Sequence, residues 1–314
     1  MTVQSNQLPK GTQLGHYTIN KTLSAGGFGI VYLATDQRHE QTVVIKEYLP
    51  NKLAQREPDL TVIPRGDDCK AKLYEGRQLF LLEVSALKKL HHTNIVHITE
   101  SFEAFGTVYI VMEYRPGKSL QYYINKSNGG FKEHVLRAVF PPLIDGVRLV
   151  HENNLLHLDI KPSNILIQKD GTPILLDFGA VIRKNMSRTM QHRTVITAGF
   201  SPPEQYDQKG YCGPWTDIYA LGATMRTCID NTPLPKSTDR RERDDLKPAT
   251  IAFKRKYSTD LLEALDWAME VDPLLRPQTI DEFLRAFNQG ADDGQDGGVF
   301  SKLFAKRMPW GKAS

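Results

Sequence analysis

Alternating apolar and polar positions dominate the first third of the chain. Short segments rich in β-branched and aromatic residues recur, among them HYTINKTL, GIVYLAT and TVVIKEYL. The longer run IVHITESFEAFGTVYIVMEY divides into two such segments at Gly106. This alternation between turn residues is typical of β-strands. The pattern therefore predicts a mainly β region that extends to Tyr114.

One segment within this region has a helical pattern instead. LYEGRQLFLLEVSALKKL places apolar side chains at intervals of three and four residues, which is the spacing of one helix face. We expect a single amphipathic helix here. Its predicted buried face consists of Leu79, Leu82, Ala86, Leu87 and Leu90.

After Tyr114 the apolar positions follow a helical period almost throughout. The segments are SLQYYIN, EHVLRAVF followed by LIDGVRLVHEN, DIYALGATMRTCI, TDLLEALDWAME and IDEFLRAF. RPGKS, just before them, reads as a turn and linker. Pro141 and Pro142 fall inside the second helical pattern, where each costs about 3 kcal/mol. We expect a kink or a break at that point.

Two segments fit neither pattern. Residues 49–70, LPNKLAQREPDLTVIPRGDDCK, form a long connection with local structure of its own, in which Leu53, Leu60, Val62 and Ile63 either pack on the β region or belong to a partner surface. NQGADDGQDGG, near the end, is a flexible linker by composition. The final VFSKLFAKRMPWGKAS mixes aromatic and basic residues. It fits both a disordered terminus and a docking segment for a partner or an acidic membrane surface.

Composition and charge narrow the classes of function. The chain has 314 residues, 40% of them hydrophobic and 24% charged, which is ordinary for a soluble globular protein. A net charge of +4 without a basic block gives no reason to expect a nucleic-acid partner. The start, MTVQSNQLPKGTQLG, has no apolar core, so no signal peptide is expected. No run of about 18 apolar residues occurs, so no membrane-spanning helix is expected.

The three cysteines, Cys69, Cys212 and Cys228, lie far apart. They form no C-x-x-C pair, so neither a disulfide framework nor a zinc site is indicated. This usage fits a reducing compartment, and we expect a cytoplasmic protein.

A glycine-rich stretch, SAGGFGIVY, spans Ser24 to Tyr32. By itself it fits a phosphate-covering loop and a tight hairpin equally well. Lys46 follows fifteen residues after Val31, at the end of a predicted strand, a distance that brings its ammonium beneath the loop. Glu83 is the candidate carboxylate to orient Lys46, because its helix face borders apolar positions.

The segment HLDIKPSNILI concentrates groups that suit phosphoryl transfer. Asp159 can accept a proton from an attacking hydroxyl, and Lys161 can neutralise charge on a transferred phosphoryl group. Asn164 can hold a divalent metal through its amide oxygen. Asp177, in LLDFGA after an apolar strand, is a second metal ligand. Phosphoryl transfer needs positioning, metal ions and a base more than covalent chemistry, and these residues supply each part.

In this order the loop, the strand lysine, the helix glutamate, H-x-D-x-K-x-x-N and D-F-G resemble the protein kinase family. The resemblance covers about residues 17–288. Within the family, the chain is similar to bacterial members with eukaryotic-type folds. It extends to TAGFSPPEQY, where Pro203 and Glu204 match the family's A-P-E segment and Pro202 replaces its alanine. Arg276 is the implied ion-pair partner of Glu204. Asp217 is the implied buried anchor of the catalytic loop.

The resemblance implies an α+β, bilobal fold. A β-rich N-terminal lobe would cover about residues 17–114, and a mainly helical C-terminal lobe would cover about 115–288. An N-terminal extension, 1–16, and a flexible linker with a basic and aromatic tail, 289–314, would flank this domain.

The resemblance also implies a role for each site residue. Lys46, paired with Glu83, would hold the α- and β-phosphates of ATP. Asp159 would be the catalytic base, and Lys161 would lie beside the γ-phosphate. Thr197 would contact both Asp159 and Lys161. The implied ligands of Mg²⁺, or of Mn²⁺, are Asn164 and Asp177. The implied nucleotide-binding set is Leu23, Ser24, Gly26, Gly27, Phe28, Gly29, Val31, Lys46, Met112, Glu113, Arg115, Asn164 and Asp177.

Within that set, Met112 would be the gatekeeper beside the adenine, and Glu113 and Arg115 would offer backbone groups to its edge. Gly26 and Gly29 are where the backbone is expected to come closest to the phosphates. Leu87, His157 and Phe178 would stack as an internal spine above Asp217.

Two positions depart from the family's pattern. Ser24 replaces the first glycine of the loop, at the position least crowded by phosphates. Leu158 replaces the arginine that usually clamps a phosphorylated activation loop through charge-assisted contacts. We therefore expect activity that does not depend on phosphorylation of that loop. Autophosphorylation is still expected among its hydroxyls, which are Ser187, Thr189, Thr194 and Thr197.

The function that the resemblance implies is transfer of the γ-phosphate of ATP, with Mg²⁺, to Ser/Thr hydroxyls of proteins in bacterial signalling. Protein substrates and a cognate phosphatase or regulatory partner are the expected partners, and the oligomeric state is left open. Two alternatives remain at this point, a pseudokinase scaffold that binds partners without transferring phosphate and a small-molecule phosphotransferase of related fold.

Overall fold

The structure is a computed structural model. It describes residues 6–127, 129–177, 182–183, 196–207 and 210–289, apart from the side chains of residues 83, 182 and 183. The chain forms two compact units. The N-terminal unit comprises residues 1–91 and 96–115, and the C-terminal unit comprises residues 92–95 and 116–314.

An antiparallel six-stranded sheet forms most of the N-terminal unit. In their order across the sheet, the strands are β1 (Gln13–Leu14), β2 (Tyr17–Ala25), β3 (Gly29–Asp36), β4 (Gln41–Tyr48), β8 (Thr107–Glu113) and β7 (Ile98–Ala104). The turn predicted at Gly106 joins β7 to β8, and its φ of +71° is one that glycine adopts without strain. The sheet confirms the strands predicted from alternation.

Helix α1 (Asp67–Leu87) begins earlier than predicted, within the segment assigned to the long connection. Leu87 is buried as expected, but Leu82 is 45% exposed, so its placement on the buried face was wrong. Successive residues advance by about 100° around a helix, which puts Leu82 opposite the buried stripe. That stripe consists of Leu73, Phe80, Val84 and Leu87.

The long connection folds as a hairpin of two short strands, β5 (Ala54–Arg56) and β6 (Val62–Pro64). Val62 is buried in the core of the N-terminal unit, and Leu53 and Leu60 pack against that core. Packing of this insert on the β-rich unit is therefore confirmed. Residues 6–16, which the sequence assigned to an extension, also contribute Leu8 and Leu14 to the same core.

A buried charged pair lies between the insert and the sheet. Both Glu47 and Arg56 are buried, and Arg56 Nη2 lies 2.6 Å from each carboxylate oxygen of Glu47. The hydroxyls of Tyr32 and Tyr109 donate to the same carboxylate at 2.8 and 2.6 Å. Burial together with the Glu47 charge raises the pKa of both tyrosines well above the ordinary value, so both stay neutral donors.

Helices form most of the C-terminal unit. Of these, α3 (Glu133–Glu152) continues through Pro141 and Pro142, so a break at that point does not occur. The face that carries Val139, Phe140 and Leu143 is almost fully buried, and this packing offsets the missing backbone hydrogen bonds. The helices are α2 (Leu120–Lys126), α3 (Glu133–Glu152), α4 (Pro203–Tyr206), α5 (Pro214–Asp230), α6 (Ser237–Glu242), α7 (Ala249–Ala252), α8 (Thr259–Ala268) and α9 (Ile280–Asn288).

Helix α5 is the central element of this unit. Every residue from Thr216 to Ile229 is buried, as expected for a helix that is surrounded by other elements. It ends at Asn231, whose φ of +58° is a left-handed helix cap.

Small sheets complete the C-terminal unit. One has the order β12-β11-β9, in which β9 (Gly117–Ser119) pairs with β11 (Ile165–Gln168), and β11 pairs with β12 (Pro173–Leu175). RPGKS is thus partly a strand, because the extended backbone of β9 finds a ladder partner in β11, and its assignment as a linker was incomplete. A second pair joins β10 (Leu155–Leu156) to β13 (Ile182–Arg183).

The linker and tail predicted for 289–314 lie outside the described residues, except for Gln289. Within the described part of the chain, no helix is long and apolar enough to cross a membrane.

Candidate active site

The loop between β10 and β11 carries the polar segment singled out in the sequence. Pro162–Asn164 forms a short 3-10 turn that brings Asn164 back toward the start of the loop. Asp159 and Asn164 are both buried. The part of the loop from Asp159 to Asn164 is thus packed inside the C-terminal unit.

Asp159 is the centre of a compact hydrogen-bonded cluster. The Lys161 ammonium and the Thr197 hydroxyl each donate to Asp159 Oδ1 at 2.8 Å, and Lys161 Nζ lies 3.1 Å from Thr197 Oγ1. Asn164 Nδ2 donates to the carbonyl oxygen and to Oδ2 of Asp159, at 2.9 Å each. The predicted contact of Thr197 with Asp159 and Lys161 is confirmed. We call these four residues the Asp159 cluster.

Asp217, near the start of α5, fixes the backbone that precedes Asp159. Its Oδ2 accepts from the His157 amide at 2.9 Å, and its Oδ1 accepts from the Leu158 amide at 2.8 Å. His151 Nε2 also donates to Oδ2, at 2.8 Å. Burial disfavours the charge of Asp217, but the hydrogen bond and the nearby imidazole of His151 outweigh it and lower the pKa of Asp217. The predicted buried anchor is confirmed.

Leu158 occupies a strained backbone conformation. Its φ is +60°, which is costly for a residue with a bulky side chain. The Asp217 carboxylate holds its amide, and Gln205 Nε2 donates to its carbonyl at 3.0 Å. Leu158 is 2% exposed, so its apolar side chain is buried inside the C-terminal unit.

His157 is fully buried and makes hydrogen bonds through both ring nitrogens. Its Nε2 donates to the Leu176 carbonyl at 3.1 Å, and its Nδ1 accepts from the Asp159 amide at 3.3 Å. Burial lowers the pKa of this imidazole. His157 is therefore a neutral structural link between the loop and Leu176, the residue before Asp177.

Asp177 follows β12 with a φ of +57°. The amide of the preceding Leu176 donates to the Asn164 carbonyl at 2.8 Å, which ties this segment to the Asp159 cluster. Phe178 and Gly179 lie outside the described residues. The predicted spine of Leu87, His157 and Phe178 therefore stays a prediction.

A second buried ion pair supports the segment after Thr197. Arg276 Nη1 and Nη2 donate to the two carboxylate oxygens of Glu204 at 2.7 and 3.1 Å. Thr216 Oγ1 donates to Glu204 at 3.0 Å. The predicted pairing of Glu204 with Arg276 is confirmed, and it joins α4 to the segment that precedes α9, while Thr216 joins α4 to α5.

In the N-terminal unit, the glycine-rich stretch forms the turn between β2 and β3. Leu23 and Phe28 are 46% and 51% exposed, and Gly26 donates to the Gly29 carbonyl at 2.9 Å. A side chain at Gly29 would meet the Glu47 carbonyl oxygen at 2.1 Å, so the fold itself requires glycine there.

Gly26 and Gly27 have no such internal cause. A Cβ at Gly27 would meet nothing within 4 Å, and one at Gly26 only an oxygen at 3.9 Å. Neither residue has a positive φ. A bare backbone without a reason inside the fold fits close approach by a ligand, as expected for a phosphate-covering loop.

Lys46 lies on β4 opposite Val31 on β3 and Ile110 on β8, and it is half-buried. Its predicted partner, Glu83, lies on α1, but that side chain is outside the described part, so the ion pair stays a prediction. Met112 and Glu113 end β8, and Arg115 forms an exposed ion pair with Glu113 at 2.8 Å. Their roles toward adenine also stay predictions.

Three supporting residues were missed in the sequence. His151 contacts Asp217, which lies 66 residues later in the chain, and Gln205 contacts the Leu158 carbonyl, which lies 47 residues earlier. No local sequence pattern marks either His151 or Gln205. Glu47 follows Lys46 on β4, and strand alternation could have placed it on the opposite, buried face.

The donor set fits a magnesium nucleotide. Carboxylate and amide oxygens are the ligands that Mg²⁺ takes in proteins. Both contacts recorded for the Asn164 side chain use Nδ2, which leaves its amide oxygen to hold a cation. Within the described residues no group of three or more His, Cys, Asp and Glu could hold a metal alone.

Solved structures of other proteins have a fold similar to that of this chain. The structure resembles that of PpkA-294 in its apo form, with 36% sequence identity and a TM-score of 0.78 over 90% of this chain and all of that one. It also resembles the PknI kinase domain of Mycobacterium tuberculosis, with 22% identity and a TM-score of 0.66 over 91% and 99% of the two chains. These neighbours confirm the expected likeness to bacterial kinases.

A Dictyostelium discoideum protein described as a probable serine/threonine-protein kinase is 28% identical over 87% of this chain and 51% of its own length. The chain thus spans about half of this curated relative. The family model described as protein kinase domain matches residues 17–286. The chain therefore belongs to the protein kinase family.

Proposed function

We propose that this protein transfers the γ-phosphate of ATP to Ser and Thr hydroxyls of protein substrates. The observation that carries the proposal is the Asp159 cluster, in which a carboxylate, an ammonium, a hydroxyl and an amide converge within hydrogen-bonding distance. The kinase fold and the Ser/Thr kinase relatives support the same activity.

Asp159 serves as the base toward the substrate hydroxyl. Its Oδ1 is engaged by Lys161 and Thr197, whereas Oδ2 has one recorded donor among the described residues, Asn164. Oδ2 therefore keeps the capacity to accept a further hydrogen bond. The hydroxyl proton moves to this carboxylate as the oxygen attacks.

Lys161 and Thr197 hold the carboxylate in place for that step. The Lys161 ammonium, 2.8 Å from Asp159, is the cation available to oppose negative charge on the transferred group. The amide oxygen of Asn164 and the carboxylate of Asp177 would hold Mg²⁺, or Mn²⁺, which neutralises phosphate charge when bound.

The N-terminal unit supplies the nucleotide-binding residues in this proposal. Gly26 to Gly29 would cover the phosphates, and Lys46 on β4 would bind them from below the turn. Met112, Glu113 and Arg115 would border the adenine. The exposed, unobstructed backbone of Gly26 and Gly27 supports this assignment.

We place this activity in the bacterial cytoplasm, in signalling, with a cognate phosphatase or regulatory partner. The likeness to bacterial kinases and the three free cysteines support that setting. Autophosphorylation is expected at Ser187, Thr189 and Thr194, which lie outside the described residues, whereas the Thr197 hydroxyl is engaged with Asp159.

Labelled ATP and Mg²⁺, with and without a basic protein substrate, test the proposal. Wild-type protein should label Ser and Thr of the substrate, and Lys46→Met and Asp159→Asn should each abolish the label. The two losses should not add, because the residues act as one unit. ATP binding without transfer would identify a pseudokinase, and label on a small molecule alone would identify a small-molecule phosphotransferase.

A further inference from the structure

The glycine-rich turn is hydrogen-bonded to the start of the insert that follows β4. The Leu49 amide donates to the Phe28 carbonyl at 3.2 Å, and the Asn51 amide donates to the Gly27 carbonyl at 3.0 Å. These bonds continue the pairing of β3 with β4, in which Gly29 lies opposite Tyr48. The tip of the turn is therefore held by a neighbouring segment and not only by its own hairpin.

That segment is in turn held by an arginine at the far end of the insert. Arg65 Nε donates to the Asn51 carbonyl at 2.7 Å, and the Arg65 amide donates to the Leu53 carbonyl at 2.9 Å. The carbonyl of Pro50 accepts from the Leu53 and Ala54 amides, at 2.9 Å each. Residues 49–65 thus form one connected hydrogen-bonded segment, which we call the loop brace.

The base of the loop brace is fixed in the core. Arg56 pairs with buried Glu47 on β4, and its Nε and Nη1 donate to the carbonyls of Asn6 and Leu60, at 2.7 Å each. The Val62 amide donates to the Phe105 carbonyl at 2.8 Å. The brace is therefore anchored at one end and reaches the glycine-rich turn at the other.

The brace determines which way the peptide groups of the turn face. In a trans peptide the C=O and the following N–H point in opposite directions. With the carbonyls of Gly27 and Phe28 directed at Asn51 and Leu49, the N–H groups of Phe28 and Gly29 face away from the brace. Successive backbone N–H groups oriented in this way are donors suited to phosphate oxygens.

We propose that the loop brace, through Arg65 and Asn51, positions the glycine-rich turn to bind the phosphates of ATP. Arg65 is a positioning residue, since it acts through the Asn51 carbonyl. This inference rests on the proposed function, because it assigns the nucleotide phosphates to this turn.

The test compares Arg65→Met with Arg65→Lys in the full chain, and with Lys52→Met as the matched control. Lys52 is an exposed cation on the same segment. Amide hydrogen exchange measures the brace without nucleotide, and equilibrium binding of Mg²⁺·ATP measures the consequence. Thermal unfolding of each variant shows whether the fold is kept, which exposure of Arg65 favours.

Arg65→Met should speed exchange of the Asn51 amide at least tenfold, while amides of the β3–β4 ladder keep their protection. It should raise the Kd for ATP about three- to tenfold, the range for loss of one hydrogen bond, and raise KM for ATP with kcat within about twofold. Arg65→Lys should restore most of the affinity, since its ammonium can still donate to the Asn51 carbonyl. Lys52→Met should match the wild type.

Unchanged Asn51 exchange in Arg65→Met would overturn the brace, and faster exchange with unchanged ATP affinity would overturn its role in nucleotide binding. Wild-type protein that bound no ATP would instead remove the proposed function, and the assigned role of the brace with it. Because the absence of ATP binding would be seen in the wild-type protein alone, failure of the proposed function can be distinguished from failure of the brace.

Discussion

Thr197 and Lys161 share one oxygen of Asp159, so each restrains the carboxylate that is proposed to take the substrate proton. At the residue scale, the proposed activity therefore depends on a few short contacts made within the C-terminal unit. The neutral imidazole of His157 and the left-handed backbone of Leu158 set the position of Asp159 from the other side.

Replacing Thr197 tests the value of its hydroxyl. Thr197→Val keeps the shape and removes the donor, so kcat should fall about tenfold or more while KM for ATP changes little. Thr197→Ser, the matched control, keeps the hydroxyl and should retain most of the rate. Steady-state kinetics with a fixed protein substrate measures both. A Thr197→Val enzyme with wild-type kcat would contradict the role assigned to this contact.

The lowered pKa of His157 predicts a dependence of stability on pH. An unfolded chain protonates this histidine below about pH 6.5, whereas burial keeps it neutral in the folded state. Acid therefore favours unfolding, and the stability that neutral His157 preserves is full above pH 6.5 and falls as the pH drops below it.

Urea unfolding between pH 7 and pH 5 measures this effect. The loss of stability with acid should be shallower in His157→Gln than in the wild type, by up to about 1.4 kcal/mol per pH unit, the value for one proton. Equal slopes in the two proteins would show that His157 does not titrate in this way.

At the scale of elements, the insert between β4 and α1 is part of the N-terminal core. Its hairpin delivers Arg56 to Glu47, where two tyrosine hydroxyls complete the environment of the carboxylate. A charge buried on β4 would be costly without that partner. The strand that carries Lys46 is thus stabilised from its opposite face.

Arg56→Met should lower the free energy of unfolding by about 3–5 kcal/mol, because it leaves Glu47 buried and unpaired. The double variant Glu47→Gln with Arg56→Met should recover a large part of this loss, since the amide is neutral, its oxygen still accepts from one tyrosine hydroxyl and its nitrogen can donate to the other. Urea unfolding at pH 7 measures both. A single variant that lost less than about 1 kcal/mol would refute the energetic importance of the pair.

The parts of the site that are contiguous in sequence could be predicted, and the parts that depend on tertiary contacts could not. Asp159, Lys161 and Asn164 fall within one short loop, so their convergence follows from local spacing. His151 and Gln205 reach that loop only through the packing of α3 and α4, which no local period reports. The break considered at Pro141 and Pro142 does not occur for a related reason, since burial of α3 outweighs the local cost of proline.

At the scale of the molecule, the residues proposed to bind the nucleotide and those proposed to transfer the phosphate are carried by different units. The N-terminal unit presents the glycine-rich turn and Lys46, and the C-terminal unit carries the Asp159 cluster. Leu158 is buried and carries no charge, so position 158 lacks the cation that is expected to clamp a phosphorylated loop.

Phosphatase treatment tests that regulatory consequence. Treated and untreated enzyme should phosphorylate an exogenous protein substrate at rates within about twofold of each other, because position 158 offers no cation to a phosphate. Mass spectrometry of the treated enzyme confirms removal of phosphate. A tenfold drop in rate after treatment would show that loop phosphorylation is required.

The most direct test of the account is the kcat for phosphate transfer to Ser or Thr by Asp159→Asn, measured beside its Kd for Mg²⁺·ATP. Loss of a general base predicts a fall in kcat of about 10²- to 10⁴-fold, with ATP affinity within about threefold of the wild type. A variant that kept kcat within tenfold of the wild type would contradict the assignment of Asp159 as the base.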